Sequence, residues 1–152
     1  MDLEMKIKEL IEKDPIIVGP DETLQNVAKQ MAKEKRDVVV VMEDEVVKGL
    51  VAASDIFHAM RSYVLGKNML ESIPMEIRDV RVSELMRAPQ ALEFMQACGL
   101  TGTNMCIVLG ENDKVADAVR TMAISGVDHI LIVGDEGVVG TLSDRDLLRA
   151  FR

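Results

Sequence analysis

Residues 21–32 of this 152-residue chain return, in pattern, as residues 112–123. Asp21-Glu22-Thr23-Leu24-Gln25-Asn26-Val27-Ala28 lies over Asn112-Asp113-Lys114-Val115-Ala116-Asp117-Ala118-Val119, an offset of 91 residues. Self-similarity at a fixed offset means that one supersecondary unit is used twice, so it decides the fold before composition does. Each copy opens with an Asx residue, Asp21 or Asn112, of a type that caps a helix by accepting first-turn amides. Apolar residues then recur at i, i+3, i+4 and i+7: Leu24, Val27, Ala28 and Met31, and Val115, Ala118, Val119 and Met122. That spacing is one buried helical face. The register continues through aliphatic runs at 38–42 and 129–133, each long enough for a buried strand. Polar turns come next at Glu43-Asp44-Glu45 and Gly134-Asp135-Glu136-Gly137, and Val46-Val47 and Val138-Val139 start the return strands of two hairpins. A second helix is expected to begin near Asp55 and Asp146. Short strands at 16–18 and 107–109 precede the repeats, each behind a helical turn, Ile7-Lys8-Glu9-Leu10-Ile11 or Val82-Ser83-Glu84-Leu85-Met86. The fold class is therefore α/β (α+β), two β-α-β-β-α repeats in tandem.

This order resembles the CBS domain family. The resemblance rests on the capped helix, the Gly-Leu-Val-Ala-Ala-Ser-Asp and Gly-Thr-Leu-Ser-Asp-Arg-Asp segments that end the hairpins, and the Val-Ser-Glu-Leu-Met lead-in. It implies two repeats packed sheet to sheet with pseudo-twofold symmetry, a unit of about 60 residues being too small to stand alone. It further implies a homodimer and two clefts between the repeats for adenosine ligands: AMP, ADP, ATP or S-adenosylmethionine. The boundaries expected are 1–66 for the first repeat, 67–79 for a linker and 80–152 for the second. The lead-ins are offset by only 75 residues (Ile7 to Val82), so the second repeat carries about 16 extra residues at about 88–105. They enter just before the strand opening at Ile107, where family members border the adenine. A lid, a docking element and a plain surface insertion all fit.

The formal net charge of −8 argues against nucleic-acid backbone and anionic membrane as partners. Aromatic residues are 3% of the chain with no Trp, so there is no base-stacking platform either. Cys98 and Cys106 have no CxxC spacing and no adjacent His, which predicts reduced thiols and no metal site. The acidic start Met1-Asp2-Leu3-Glu4 does not look like a secretory leader, and no run suits a membrane span. A cytoplasmic protein is expected.

By resemblance, Ser143-Asp144-Arg145-Asp146 is the nucleotide motif of the second repeat. Asp146 would accept from a ribose diol, and Ser143 and Arg145 would donate to phosphate, with help from orphan amides at a helix start. His129, at the head of its strand, is a further candidate facing the phosphates. The first repeat keeps Asp55 but has Ala52 for Ser143 and Ser54 for Arg145, so its site retains the ribose acceptor without the phosphate donors. The ligand-binding candidates are thus Ser143, Asp144, Arg145, Asp146, His129, Ile107 and Asp55. An ordinary helix cap explains Ser143 and Asp146 equally well from the residues alone. No cofactor is required, and no nucleophile–base or paired-carboxylate arrangement suggests an enzyme. Two readings stand: a nucleotide-sensing module acting on a regulated protein partner, and a dimerisation or interaction module with no nucleotide. Ile56, Phe57, Met60, Leu147, Leu148 and Phe151 are the apolar residues expected to face a second copy.

Overall fold

Periodicity and strand propensity are realised closely in the computed structural model, which describes residues 1–64, 81–84 and 107–151. In the first repeat β2 (Ile16–Val18) leads to α1 (Leu24–Glu34), β3 (Val38–Glu43), β4 (Val46–Ala52) and α2 (Ala53–Val64). In the second, β5 (Ile107–Gly110) leads to α3 (Val115–Ser125), β6 (His129–Gly134) and β7 (Gly137–Ser143). β1 (Glu12–Lys13) lies upstream of both. Within each sheet the first strand of the repeat runs parallel to the second, which pairs antiparallel with the third. Register irregularities fall at matching places, Val41/Met42 and Ile132/Val133. The repeat of sequence is therefore a repeat of backbone down to the bulge.

The packing units do not follow chain order. One consists of Met1–Pro15 with Ala88–Arg152, the other of Ile16–Arg87. Each lead-in is thus exchanged: the first turn packs with the second repeat and the second turn with the first. Ile7 donates its amide to the Asp113 carbonyl at 2.8 Å, and Lys8 to Glu111 at 2.9 Å. In the other unit Val82 donates to Glu22 at 2.9 Å and Ser83 to Pro20 at 3.1 Å. These are the same positions of the repeat. Both anchor side chains, Ile7 and Val82, have no solvent exposure. Ile7 joins Met5, Leu10, Val115, Ala118, Ile130 and Leu142 in one core, and Val82 joins Ile16, Leu24, Val27, Val39, Val51 and Ile56 in the other. A short repeat has too little apolar area of its own, so a borrowed aliphatic turn completes each core.

The first lead-in goes further and adds β1 to β7, antiparallel, with Glu12 opposite Thr141 and Lys13 opposite Gly140. The second repeat's sheet is then four-stranded in the order β1-β7-β6-β5, whereas the first repeat's sheet has three strands in the order β2-β3-β4. The boundaries 1–66 and 80–152 describe units of sequence, and the units of packing differ from them by this exchange. The linker 67–79, the extra residues at 88–105 and both cysteines lie outside the described residues.

Three local expectations are corrected. The caps are not Asp21 and Asn112: α1 is capped by Thr23, which accepts from the Asn26 amide at 3.2 Å, and α3 starts after Lys114, whose amide donates to Asp117 at 3.0 Å. Asp113 turns back instead and accepts from Gly110 at 2.8 Å. Second, β7 gives way to a five-residue 3-10 turn, Asp146–Ala150, where α2 has 12 residues. Third, Ile56 and Leu147 face their cores, because they occupy the inward position of the amphipathic turn. The outward residues are Phe57, Met60, Leu148 and Phe151, which are 50–66% exposed.

Removing the borrowed side chain should open a cavity in the other repeat. Ile7→Ala is expected to cost about 2–4 kcal/mol of unfolding free energy in urea titration. The amides of β6 should lose exchange protection more than those of β3; equal loss in both would contradict the assignment of Ile7 to the second repeat's core.

Candidate functional site

Alternation along β6 and β7 sorts their side chains. Ile130, Ile132 and Leu142 enter the helix-covered core, so His129, Leu131, Thr141 and Ser143 point to the opposite face. His129 stands opposite Ser143 across the ladder, and Leu131 opposite Thr141. In the first repeat Val39, Val41 and Val51 enter the core, leaving Val38, Val40, Leu50 and Ala52 on the corresponding face. Matched position by position, His129 replaces Val38, Thr141 replaces Leu50 and Ser143 replaces Ala52. The buried polar residues among those described are His129, Thr141, Ser143 and Asp146, all in the second repeat. Burying a polar group without a partner costs a few kcal/mol, so such a cluster exists only where hydrogen bonds are supplied.

Part of that supply is internal. Asp146 Oδ2 accepts from the Ser143 amide at 2.8 Å, and Ser143 Oγ accepts from the Asp146 amide at 3.2 Å. Asp146 Oδ1 lies 3.2 Å from Arg149 Nη1. The first repeat has half of this arrangement: Asp55 Oδ2 accepts from the Ala52 amide at 2.9 Å, and Ala52 has no hydroxyl to answer. Holding the strand end, as an ordinary cap does, is therefore a shared role of Asp55 and Asp146. It leaves chemical capacity unused in the second repeat. Each carboxylate oxygen has a further lone pair, and the Ser143 hydroxyl, while accepting from Asp146, still has its proton to donate.

His129 is nearly buried, and its Nδ1 lies 3.0 Å from Asp128 Oδ1, half exposed at the rim. A carboxylate only accepts, so Nδ1 carries the proton and Nε2 is the nitrogen presented elsewhere. Asp128 also accepts the Asp144 amide on its carbonyl at 3.1 Å, as Asp37 accepts that of Ala53 at 2.8 Å. Asp144 and Arg145 are exposed beside the cluster. The helix start expected to donate orphan amides is replaced by the short 3-10 turn, whose Asp146 amide is already bound to Ser143. Ile107 opens β5 opposite Ile130 in β6.

The structure thus groups Ser143, Asp144, Arg145, Asp146 and His129 at one end of β6 and β7, and places Asp55 on the other unit. Three participants escape the sequence reading: Thr141, Asp128 and Arg149. Position-by-position comparison finds Thr141 against Leu50 and Arg149 against His58, whereas Asp128, matched by Asp37, carries no such contrast. Among the described residues no group of His, Cys, Asp or Glu is arranged to hold a metal, and no helix is long and apolar enough to cross a membrane.

Comparison with known proteins bears on the fold. The family model of the CBS domain matches residues 7–62 and 103–152. The CBS domain-containing protein MJ0729 of Methanocaldococcus jannaschii is 25% identical over 97% of this chain and 96% of its own length. An uncharacterized conserved protein of Pyrococcus horikoshii superposes with a TM-score of 0.73 at 24% identity, covering 100% of this chain and 96% of that one. The CBS domain protein PAE2072 of Pyrobaculum aerophilum, solved complexed with AMP, superposes with a TM-score of 0.65 at 19% identity, over 93% of this chain and 89% of that one.

The cap role makes a stability prediction independent of any ligand. Asp55→Ala leaves the buried Ala52 amide without its acceptor and should cost about 1–2 kcal/mol in urea unfolding. Asp146→Ala also strands Ser143 and Arg149 and should cost about 2–3 kcal/mol. Equal stability of wild type and both variants would refute the shared role.

Proposed function

This chain belongs to the CBS domain family, and from that premise we propose that it is a non-enzymatic regulatory module whose second repeat binds an adenosine nucleotide. The observation that carries the proposal is the one-sided placement of His129, Thr141, Ser143 and Asp146, buried polar groups on a sheet face that is aliphatic in the first repeat. Strand pairing, register and the capping carboxylate–amide bond are common to both repeats, so the hairpin itself gives no reason for the difference. A ribose diol donating to Asp146, with phosphate toward Ser143 and the exposed Arg145, uses the capacity the internal hydrogen bonds leave over. His129, its Nδ1 turned to Asp128, is a further candidate facing the phosphates. The AMP held by a structural relative supports this choice of ligand class. AMP, ADP, ATP and S-adenosylmethionine all present the same ribose, and no cofactor is needed beyond such a ligand.

In a protein of net charge −8, an incoming phosphate needs charge-assisted donors, and Ser54 and Ala52 offer the first repeat no equivalent of Arg145 and Ser143. Asp55 therefore marks a site that takes phosphorylated ligands poorly. A second reading, an interaction module, is favoured by Phe57, Met60, Leu148 and Phe151, apolar and exposed just beyond the capping carboxylate of each repeat. The readings are compatible: nucleotide binding would regulate, and these residues would carry homodimerisation or a partner.

The test is calorimetry with AMP on a matched pair of variants. Asp146→Ala and Asp55→Ala lose the same carboxylate–amide bond, so Asp55→Ala controls for the loss of that bond, while Asp146→Ala removes the Arg149 contact besides. Asp146→Ala is expected to weaken AMP roughly tenfold to a hundredfold, since hydrogen bonds to charged groups contribute about 1.5–3 kcal/mol. Asp55→Ala should leave affinity nearly unchanged. The reverse pattern would overturn the site, and no heat with any adenosine nucleotide would overturn the function in favour of the interaction module.

A further inference from the structure

Arg149 is used by neither the cap nor the proposed ligand contacts, yet it sits astride both. Its guanidinium places Nη1 3.2 Å from Asp146 Oδ1, and Nη2 donates to the backbone carbonyl of Leu10. Leu10 belongs to the exchanged lead-in. Its side chain is buried in the second repeat's core, its amide donates to Ile7 at 2.8 Å, and β1 begins two residues later. One planar fork thus joins the candidate ribose acceptor to the segment that leaves this unit for the other after Pro15. A guanidinium is suited to this because its donors are fixed in direction and its charge is permanent. The first repeat has His58 at the corresponding position, a shorter side chain that cannot present two parallel donors.

We propose that Arg149 is a positioning residue that couples nucleotide binding at Asp146 to the docking of the exchanged lead-in. The inference rests on the functional reading above. Oδ1 can accept from Arg149 and from a ribose hydroxyl together, so a bound nucleotide fixes the carboxylate, the carboxylate fixes the guanidinium, and the guanidinium fixes the Leu10 carbonyl. Coupling of this kind is reciprocal: whatever steadies the lead-in tightens the nucleotide, and the nucleotide steadies the lead-in. Occupancy of the second repeat would then be felt where the chain enters the first, and His58 provides no matching route in the opposite direction.

The experiment measures amide hydrogen exchange at Leu10 and Ile11 in the full chain, with and without saturating AMP, with β3 amides as reference. Arg149→Met keeps the length and removes the donors; Arg149→Lys keeps the charge and removes the fork. In wild type, AMP should slow exchange at Leu10 and Ile11 about fivefold or more relative to β3. In Arg149→Met the AMP dissociation constant should rise about tenfold, and saturating AMP should no longer alter exchange at these amides. Arg149→Lys should recover most of the affinity without recovering the response. AMP binding to wild type with no change at Leu10, or the same slowing in Arg149→Met, overturns the coupling and leaves the functional reading standing. Failure of wild type to bind AMP overturns the functional reading and the ligand half of the coupling with it. The tie itself is then judged without ligand: Arg149→Met should exchange faster at Leu10 and Ile11 than wild type, and equal rates overturn it.

Discussion

Two backbone hydrogen bonds and one aliphatic side chain, made twice, hold the architecture together. Ile7 and Lys8 on Asp113 and Glu111, and Val82 and Ser83 on Glu22 and Pro20, place a turn from elsewhere in the chain at the start of each repeat's helix. Without that turn the cores around α1 and α3 would lack a fully buried member. The consequence is topological as well as energetic, because each repeat is completed by residues that precede its neighbour. In the second repeat the exchange also supplies β1 as an outer strand over β7, covering an edge that would otherwise present unpaired amides and carbonyls.

On this common frame the two repeats differ in chemistry. Both end their hairpins with a carboxylate that accepts the amide three residues before it, Asp55 from Ala52 and Asp146 from Ser143. The first repeat surrounds that point with Val38, Leu50 and Ala52, and the second with His129, Thr141 and Ser143. A structural cap has thus been kept in both and given polar neighbours in one. On the proposed function this difference divides labour between the two repeats: strand pairing and register are shared, and the side chains around the cap differ.

Much of this is legible in the sequence, because helix and strand periods are local and the repeat supports each reading by a second copy. β2, α1, β3 and β4 and their counterparts β5, α3, β6 and β7 fall where alternation and the i, i+3, i+4 spacing put them. The exchange of lead-ins is not, because it depends on contacts between residues as distant in sequence as Ile7 and Asp113. Caps are misread where several polar residues adjoin: Thr23 and Lys114 take the cap positions rather than Asp21 and Asn112, through backbone geometry that composition does not encode. The motif Ser143-Asp144-Arg145-Asp146 is visible at once. Arg149 is hidden, since its role lies in reaching Leu10 rather than in any pattern around it.

The division of labour is tested most directly by a crystal structure of the chain grown with AMP. One nucleotide per chain is expected, with ribose hydroxyls within hydrogen-bonding distance of the Asp146 carboxylate and phosphate toward Ser143 and Arg145. AMP seated on Asp55 with Asp146 still engaged only by Ser143 and Arg149 would contradict the account.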